Sequence, residues 1–311
     1  MALAVRLLAV LTLFTIGSLA QSLLTALRQE GFTEFATFLD GSSRNFTLDS
    51  RRLIVYAPTN AGFLRSRSSN ELLPRGDMAE AMCDWHMTSE GAFSGDTSHS
   101  TKRNAICSVV NGPGAEDLMT LLDDPEFVNL PLGQNASIVQ KNMPKGALPV
   151  VHSGLGDVVK VTGLDIPYDH GIIRPVSGFF TLPRLLSTTL PFLGADKTLS
   201  ALQRTGLIKD LDTRTGITFL APDDRSIPSD LPDNVLAEIL RRHVIVGLPV
   251  FTSDLKHGDS YKTLAGTTVT VTVQCADVFI GGARILASDA IIKNGVAHTV
   301  DKVRHHCPTR P

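Results

Sequence analysis

An excess of charge of one sign is missing from this 311-residue sequence, in which 29 lysines and arginines face 31 aspartates and glutamates for a formal net charge of −2. Nothing in that balance favours phosphate backbones or anionic lipid, which argues against nucleic acid as a partner. Common catalytic signatures are also missing. There is no H-E-x-x-H, no G-x-S-x-G elbow and no P-loop. GLGDVV (Gly154–Val159) is only a broken dinucleotide fingerprint in the wrong context. Neither an enzymatic activity nor a cofactor is therefore expected. Long apolar runs are scarce: LLAVLTLFTI (Leu7–Ile16) is about half of the roughly 20 residues a spanning helix needs. The apolar stretch Phe179–Ala195 is broken by Pro183, Arg184 and Pro191. The four cysteines show no C-x-x-C spacing, which disfavours a zinc or redox site.

Apolar material is plentiful, at 43% hydrophobic against 19% charged, enough for the cores of two ordinary domains rather than for disorder. The N-terminus has the three parts of a signal peptide: Arg6, the run Leu7–Ile16, and Ser18-Leu19-Ala20. Residues 1–20 are expected to be removed before Gln21, and HHCPTRP at the other end lacks the apolar tail of a lipid-anchor signal. The mature protein is thus expected outside the cytosol, where disulfides persist. Cys83 and Cys107 lie close in sequence, as do Cys275 and Cys307, so one bridge in each half is expected, although four cysteines allow three connectivities. The sequons at Asn45 and Asn135 sit in polar, turn-rich surroundings and are expected glycan acceptors.

The sequence also repeats itself. LTALRQEGF from Leu24 matches LSALQRTGL from Leu199, each a short helix with leucines at i and i+3 closed by a glycine, Gly31 or Gly206. IVYAPTNAGF (Ile54–Phe63) matches TFLAPDDRSI (Thr218–Ile227), a buried strand followed by Ala-Pro and capping residues. EAMCDWH, ending at His86, matches the segment around His243, and HGIIRPVSGF (His170–Phe179) matches NGVAHTVDKV (Asn294–Val303). Asp165 and Asp289 stand five residues before His170 and Asn294. The offset falls from 175 at Leu24/Leu199 to 164 at Pro58/Pro222, 157 at His86/His243 and 124 at Gly171/Gly295. These steps imply insertions of 11, 7 and 33 residues in the first copy, expected on surface loops. Each copy reads as helix, strand, Ala-Pro turn, a helix ending in His, then several strands, which is the α+β class.

A strand followed by Ala-Pro-Thr-Asn-x-x-Phe, a helix closing on His, and Asn-Gly-Val-x-His-x-Val-Asp-x-Val together resemble the fasciclin domain, in two copies across nearly the whole mature chain. The implied fold is a β-wedge or sandwich with helices packed at one side, in domains at 21–183 and 184–304 followed by a polar tail, 305–311. The implied role is extracellular adhesion or association with matrix or wall. Partners would be cell-surface, matrix or wall components or a second copy of the chain; the vacuolar lumen is an alternative destination. The motif residues carried over are Pro58, Thr59, Asn60 and His86 in the first copy, and Pro222, Asp223, Asp224, His243, Asn294, Gly295, His298 and Asp301 in the second. The resemblance also implies structural rather than catalytic histidines. The first copy departs from the pattern, with His170 and Arg174 where the second has Asn294 and His298, and with Trp85 and Arg242 where the family often has tyrosine. Arg75-Gly76-Asp77 has the form of an integrin ligand, but Asp77-Met78-Ala79-Glu80 also has the spacing of a capping box, the ordinary reading. His305-His306-Cys307 reads as a disulfide with flanking histidines rather than a metal site, and Asp223-Asp224 as a cap rather than a calcium site. A secreted carrier or enzyme using a pocket between helices and β-wedge is the alternative function.

Overall fold

The computed structural model describes residues 22–42, 52–68, 77–89, 114–143, 146–228, 230–274 and 277–303. The first half runs α1 (Leu23–Gln29), α2 (Thr33–Asp40), β1 (Leu53–Pro58), α3 (Asn60–Ser68), α4 (Asp77–Trp85), β2 (Met87–Ser89), β3 (Ala115–Met119), β4 (Ser137–Lys141), β5 (Val150–His152), β6 (Val158–Lys160), β7 (Ile166–Tyr168) and β8 (Gly171–Val176). The second runs α5 (Leu186–Phe192), α6 (Asp196–Arg204), α7 (Leu207–Thr213), β9 (Ile217–Pro222), α8 (Asp233–Arg241), β10 (Val244–Val246), β11 (Ser260–Lys262), β12 (Thr268–Gln274), β13 (Asp277–Ile280), β14 (Ala283–Ile292) and β15 (Gly295–Val300). The class is α+β.

The same clasp is built twice. β1 lies between antiparallel β2 and parallel β8, and β9 lies between antiparallel β10 and parallel β15. Leu53 pairs with Gly171 and Pro58 with Val176; Ile217 pairs with Gly295 and Pro222 with Val300. Both glycines have positive φ (+154° and +152°), and a Cβ on either would lie 1.8 Å from the carbonyl oxygen of Leu53 or Ile217. Only glycine lets the closing strand start so close to its partner. β1 is buried along its whole length because successive side chains leave on opposite faces. Leu53, Val55 and Ala57 pack with α1 and α2, while Ile54 and Tyr56 join a second core with Trp85, Phe127 and Phe180. In β9, Ile217, Phe219 and Ala221 face the helical core and Leu220 the opposite one.

The halves differ beyond the clasp. In the second, the ten-residue β14 joins all strands into one seven-stranded sheet, β10-β9-β15-β14-β13-β12-β11. In the first, β6 and β7 take the place of that strand, so the sheet parts into β2-β1-β8-β7 and β3-β4-β5-β6. The halves also share a core: Phe251, Ile291 and Val296 belong to the cluster built around Tyr56 and Trp85. Asn129 ties them further, its N–H donating to the Lys293 carbonyl at 2.7 Å and its Nδ2 to the Thr213 carbonyl at 3.0 Å.

The match of Leu24 with Leu199 is overturned. Asn60 caps α2: its Oδ1 accepts the Glu34 N–H at 3.2 Å and its Nδ2 donates to Thr33 Oγ1 at 3.0 Å. Its counterpart Asp224 accepts the N–H groups of Lys197 and Thr198, at 3.0 and 3.4 Å, where α6 begins. Hence α2 corresponds to α6, and α1 to α5. The turns after α1 and α5 agree, with Gly31 (φ +87°) and Gly194 (φ +67°) followed by N–H bonds from Phe32 to Leu27 O and from Ala195 to Leu190 O. Residues 41–52 and 205–216 are then equal in length, so the first copy carries no 11-residue insertion there. The error has a simple cause. Leucines at i and i+3 before a left-handed glycine end any short amphipathic helix, Gly206 (φ +72°) does so as well as Gly31, and each half holds more than one such helix.

Candidate functional site

Most of the motif residues hold the frame together. Pro58 and Pro222 end their strands buried, and the next residues, Thr59 and Asp223, donate their N–H groups to Val176 O and Val300 O at 2.9 and 2.8 Å. The Thr59 hydroxyl accepts the Gly62 N–H at 3.2 Å and Asp223 Oδ1 accepts the Arg225 N–H at 2.8 Å, so both cap the turn that follows. Asn60 and Asp224 cap the preceding helix pair, as described. Asp301 closes the far end of the last hairpin, accepting the Arg284 N–H at 2.9 Å. Asn294 is fully buried, and its Nδ2 donates to Leu211 O and Arg214 O at 2.7 and 2.6 Å, gripping the end of α7. His170 stands at that position in the first half and is exposed.

The three histidines are fully buried. His86 Nε2 accepts the Phe180 N–H at 3.0 Å, which leaves the ring proton on Nδ1 to be donated to Tyr56 O at 2.7 Å. Its ring stacks on Phe180 at 4.4 Å and 9°. Burial holds its pKa down at about 3 against the opposing pull of the Tyr56 carbonyl. His298 Nδ1 accepts the Asp289 N–H at 3.1 Å, and Nε2 donates to Val250 O at 2.9 Å. Burial lowers its pKa too, outweighing nearby Asp289. His243 Nδ1 lies 3.0 Å from the Ile239 carbonyl oxygen. With both nitrogens of His86 and His298 committed, neither ring can serve as base or ligand without breaking the core.

The substitution of Arg174 for histidine acquires a physical meaning here. Arg174 binds Asp165 in bidentate fashion, Nε to Oδ1 at 2.8 Å and Nη2 to Oδ2 at 2.6 Å, and donates through Nη1 to Gln140 Oε1 at 2.8 Å. The first half therefore keeps the aspartate and replaces a neutral histidine with a charged partner. In the second half the charge for Asp289 comes from across the molecule. Lys141 Nζ lies 2.6 Å from Asp289 Oδ2 and also donates to Ser288 Oγ at 2.6 Å. The Thr252 N–H donates to Asp289 Oδ1 at 2.9 Å, and the Thr252 hydroxyl to Oδ2. Burial alone would raise this carboxyl, but the charge of Lys141 and the hydrogen bonds from Lys141 and Thr252 hold it below the usual carboxylate range. Because the His298 ring is neutral, Lys141 supplies the positive charge. The sequence repeat drew attention to Asp289 but had no means of finding Lys141, which has no motif around it.

Several expected features fall outside the described residues: the signal segment, Asn45, Arg75-Gly76, Cys107, Cys275, Cys307 and the tail. Cys83 is fully buried. Asp77 opens α4. Asn135 is half-buried, with its Nδ2 donating to Thr120 O at 3.0 Å; that nitrogen keeps a second proton. Among the described residues no group of three His, Cys, Asp or Glu is placed to hold a metal, and no helix is long and apolar enough to cross a membrane.

One concavity stands out from this frame. A cleft of about 760 Å³ opens beside α3 and α4, floored by the segments 155–159 and 177–182 and reached by Arg184 and Phe192. Its signal in the sequence was the apolar stretch Phe179–Ala195, whose exposed Phe192 points to a surface rather than a core.

Comparison with known proteins matches residues 194–304 to the family model of the fasciclin domain. The fasciclin-like arabinogalactan protein CTB11 of Cercospora beticola is 28% identical over 195 residues, 60% of this chain and 52% of that protein. A fasciclin-like arabinogalactan protein of Arthroderma benhamiae is 24% identical over 190 residues, 59% and 44% of the two chains. The chain thus spans about half the length of these curated relatives. A solved FAS1 domain pair from the insect cell adhesion molecule fasciclin I aligns over 90% of this chain and 97% of the other, at 15% identity and a TM-score of 0.40. The match to the fasciclin domain model thus runs from Gly194 through the closing Asn-Gly-Val-Ala-His-Thr-Val hairpin, the part of the chain that carries β9–β15.

Proposed function

We propose that the protein is a secreted, wall- or matrix-associated adhesion protein built from two fasciclin-type domains, 21–183 and 184–304, with no catalytic centre. The observation that carries the duplication is the shared clasp register, in which Gly171 meets Leu53 as Gly295 meets Ile217. The names of the fungal relatives support the wall association. Removal of residues 1–20, bridges within each half and glycans on Asn45 and Asn135 belong to the same reading. Since the motif residues cap helices and close strands, adhesive contacts belong to the surface they support. The test is retention of the intact, glycosylated chain on isolated wall polysaccharide and on cells. The intact chain is needed because Phe251, Ile291 and Val296 complete the first half's core. Retention above a size- and charge-matched secreted control supports the reading. No retention on either surface, with the tagged protein also absent from the wall, overturns it.

A further inference from the structure

The cleft beside α3 and α4 has a chemistry of its own. Its apolar surface comes from Met78, Met82, Leu182 and Phe192, the last 67% exposed. Methionines give such a wall an adaptable shape. Two guanidinium groups reach it. Arg65 is held by a bond from Nη2 to Ser177 O at 2.7 Å. Arg184 lies over the Phe127 ring at 5.3 Å and has no carboxylate partner among the described residues. The acid in the lining, Asp157, is already engaged: Oδ1 accepts the Val158 N–H at 2.8 Å and Oδ2 accepts the Thr181 hydroxyl at 3.0 Å. The turn beneath is held in an uncommon shape, with Leu155 at φ +58° and Gly156 at φ +78°. A Cβ on Gly156 would come within 2.6 Å of Leu193 just past α5, so the second half presses the floor into place. Strained backbone of this kind gathers at ligand clamps.

We propose that this cleft binds an amphiphilic carboxylate, with the anion at Arg184 and the apolar body along Met78, Met82 and Phe192. A guanidinium already stacked on an aromatic ring is preorganised for carboxylate and loses little entropy on binding it. The volume lies within the range of small-molecule sites. This goes beyond the adhesive role and does not depend on it.

The probe is laurate, titrated calorimetrically into the intact chain at neutral pH, with dodecanol as the uncharged comparison. Saturable binding of one laurate per chain is expected, about tenfold tighter than dodecanol. Arg184→Gln removes that preference and leaves dodecanol binding unchanged; its thermal melt should match the parent, since the guanidinium lies over the Phe127 ring and makes no hydrogen bond or ion pair among the described residues. Phe192→Asp weakens both ligands at least tenfold and, at an exposed position, leaves the fold intact. Absence of saturable laurate binding, equal affinity for laurate and dodecanol, or unchanged laurate binding in Phe192→Asp overturns the proposal. Should Arg184→Gln not fold, the comparison of the two ligands and Phe192→Asp still decide it.

Discussion

Replacing His86 with glutamine should flatten the protein's response to mild acid. The folded pKa of about 3 lies below the ordinary histidine value near 6.5, so the unfolded chain takes up this proton first as pH falls. The stabilisation is present in full above the unfolded pKa and is lost as pH drops from about 6.5 towards 3. Between pH 7 and 5 the loss from this one ring is about 2 kcal/mol, because the native ring stays neutral throughout. Glutamine keeps an acceptor for the Phe180 N–H but cannot titrate. It gives up the stacked ring, so at pH 7 the variant should be about 2–3 kcal/mol less stable. Urea unfolding of both proteins at several pH values gives the comparison directly. Other titrating groups, including His152, which burial lowers to about 4, and Asp254, which burial raises to about 6, are common to both proteins and cancel. The difference in stability should shrink by about 2 kcal/mol from pH 7 to 5. Parallel curves would refute the buried, neutral ring.

The remaining predictions address the clasp, the junction and the caps. Gly295→Ala should cost more than about 4 kcal/mol and abolish recovery of folded protein, because the new methyl meets Ile217 O; a soluble protein with an unchanged melt would contradict the register. Lys141→Met should cost about 3 kcal/mol by leaving buried Asp289 uncompensated, and adding Asp289→Asn should recover part of the loss in a denaturation cycle. Asp224→Ala should cost about 1 kcal/mol through the start of α6, with Asp224→Asn close to the parent in thermal unfolding.

Legibility of the structure in the sequence followed the range of the interaction. The strand-Ala-Pro turns and the closing Asn-Gly hairpin were readable because each depends on residues adjacent in the chain, and Gly171 and Gly295 marked both closings. The helix pairs were misread because a leucine pair before glycine is a local signal, and α1, α5 and α6 all satisfy it. Only the cap from Asn60 or Asp224, reaching back from beyond the strand, identifies which helix is which.

By itself the sequence determined the α+β class and the recurrence of the strand-Ala-Pro turn, the histidine-ended helix and the closing strand in each half, since periodicity and turn chemistry act over a few residues. The tertiary structure decided how the copies are joined: Lys141 meets Asp289, and Phe251 enters the first half's core. It also decided what the motif residues do. Asp165 and Asp289 look alike in sequence, but one is answered by Arg174 on a neighbouring strand and the other by a lysine from the opposite half. A buried charge, the Asp289 carboxylate in one half and the Arg174 guanidinium in the other, requires a countercharge. Which residue supplies it depends on the fold, because the partner can come from anywhere in the chain.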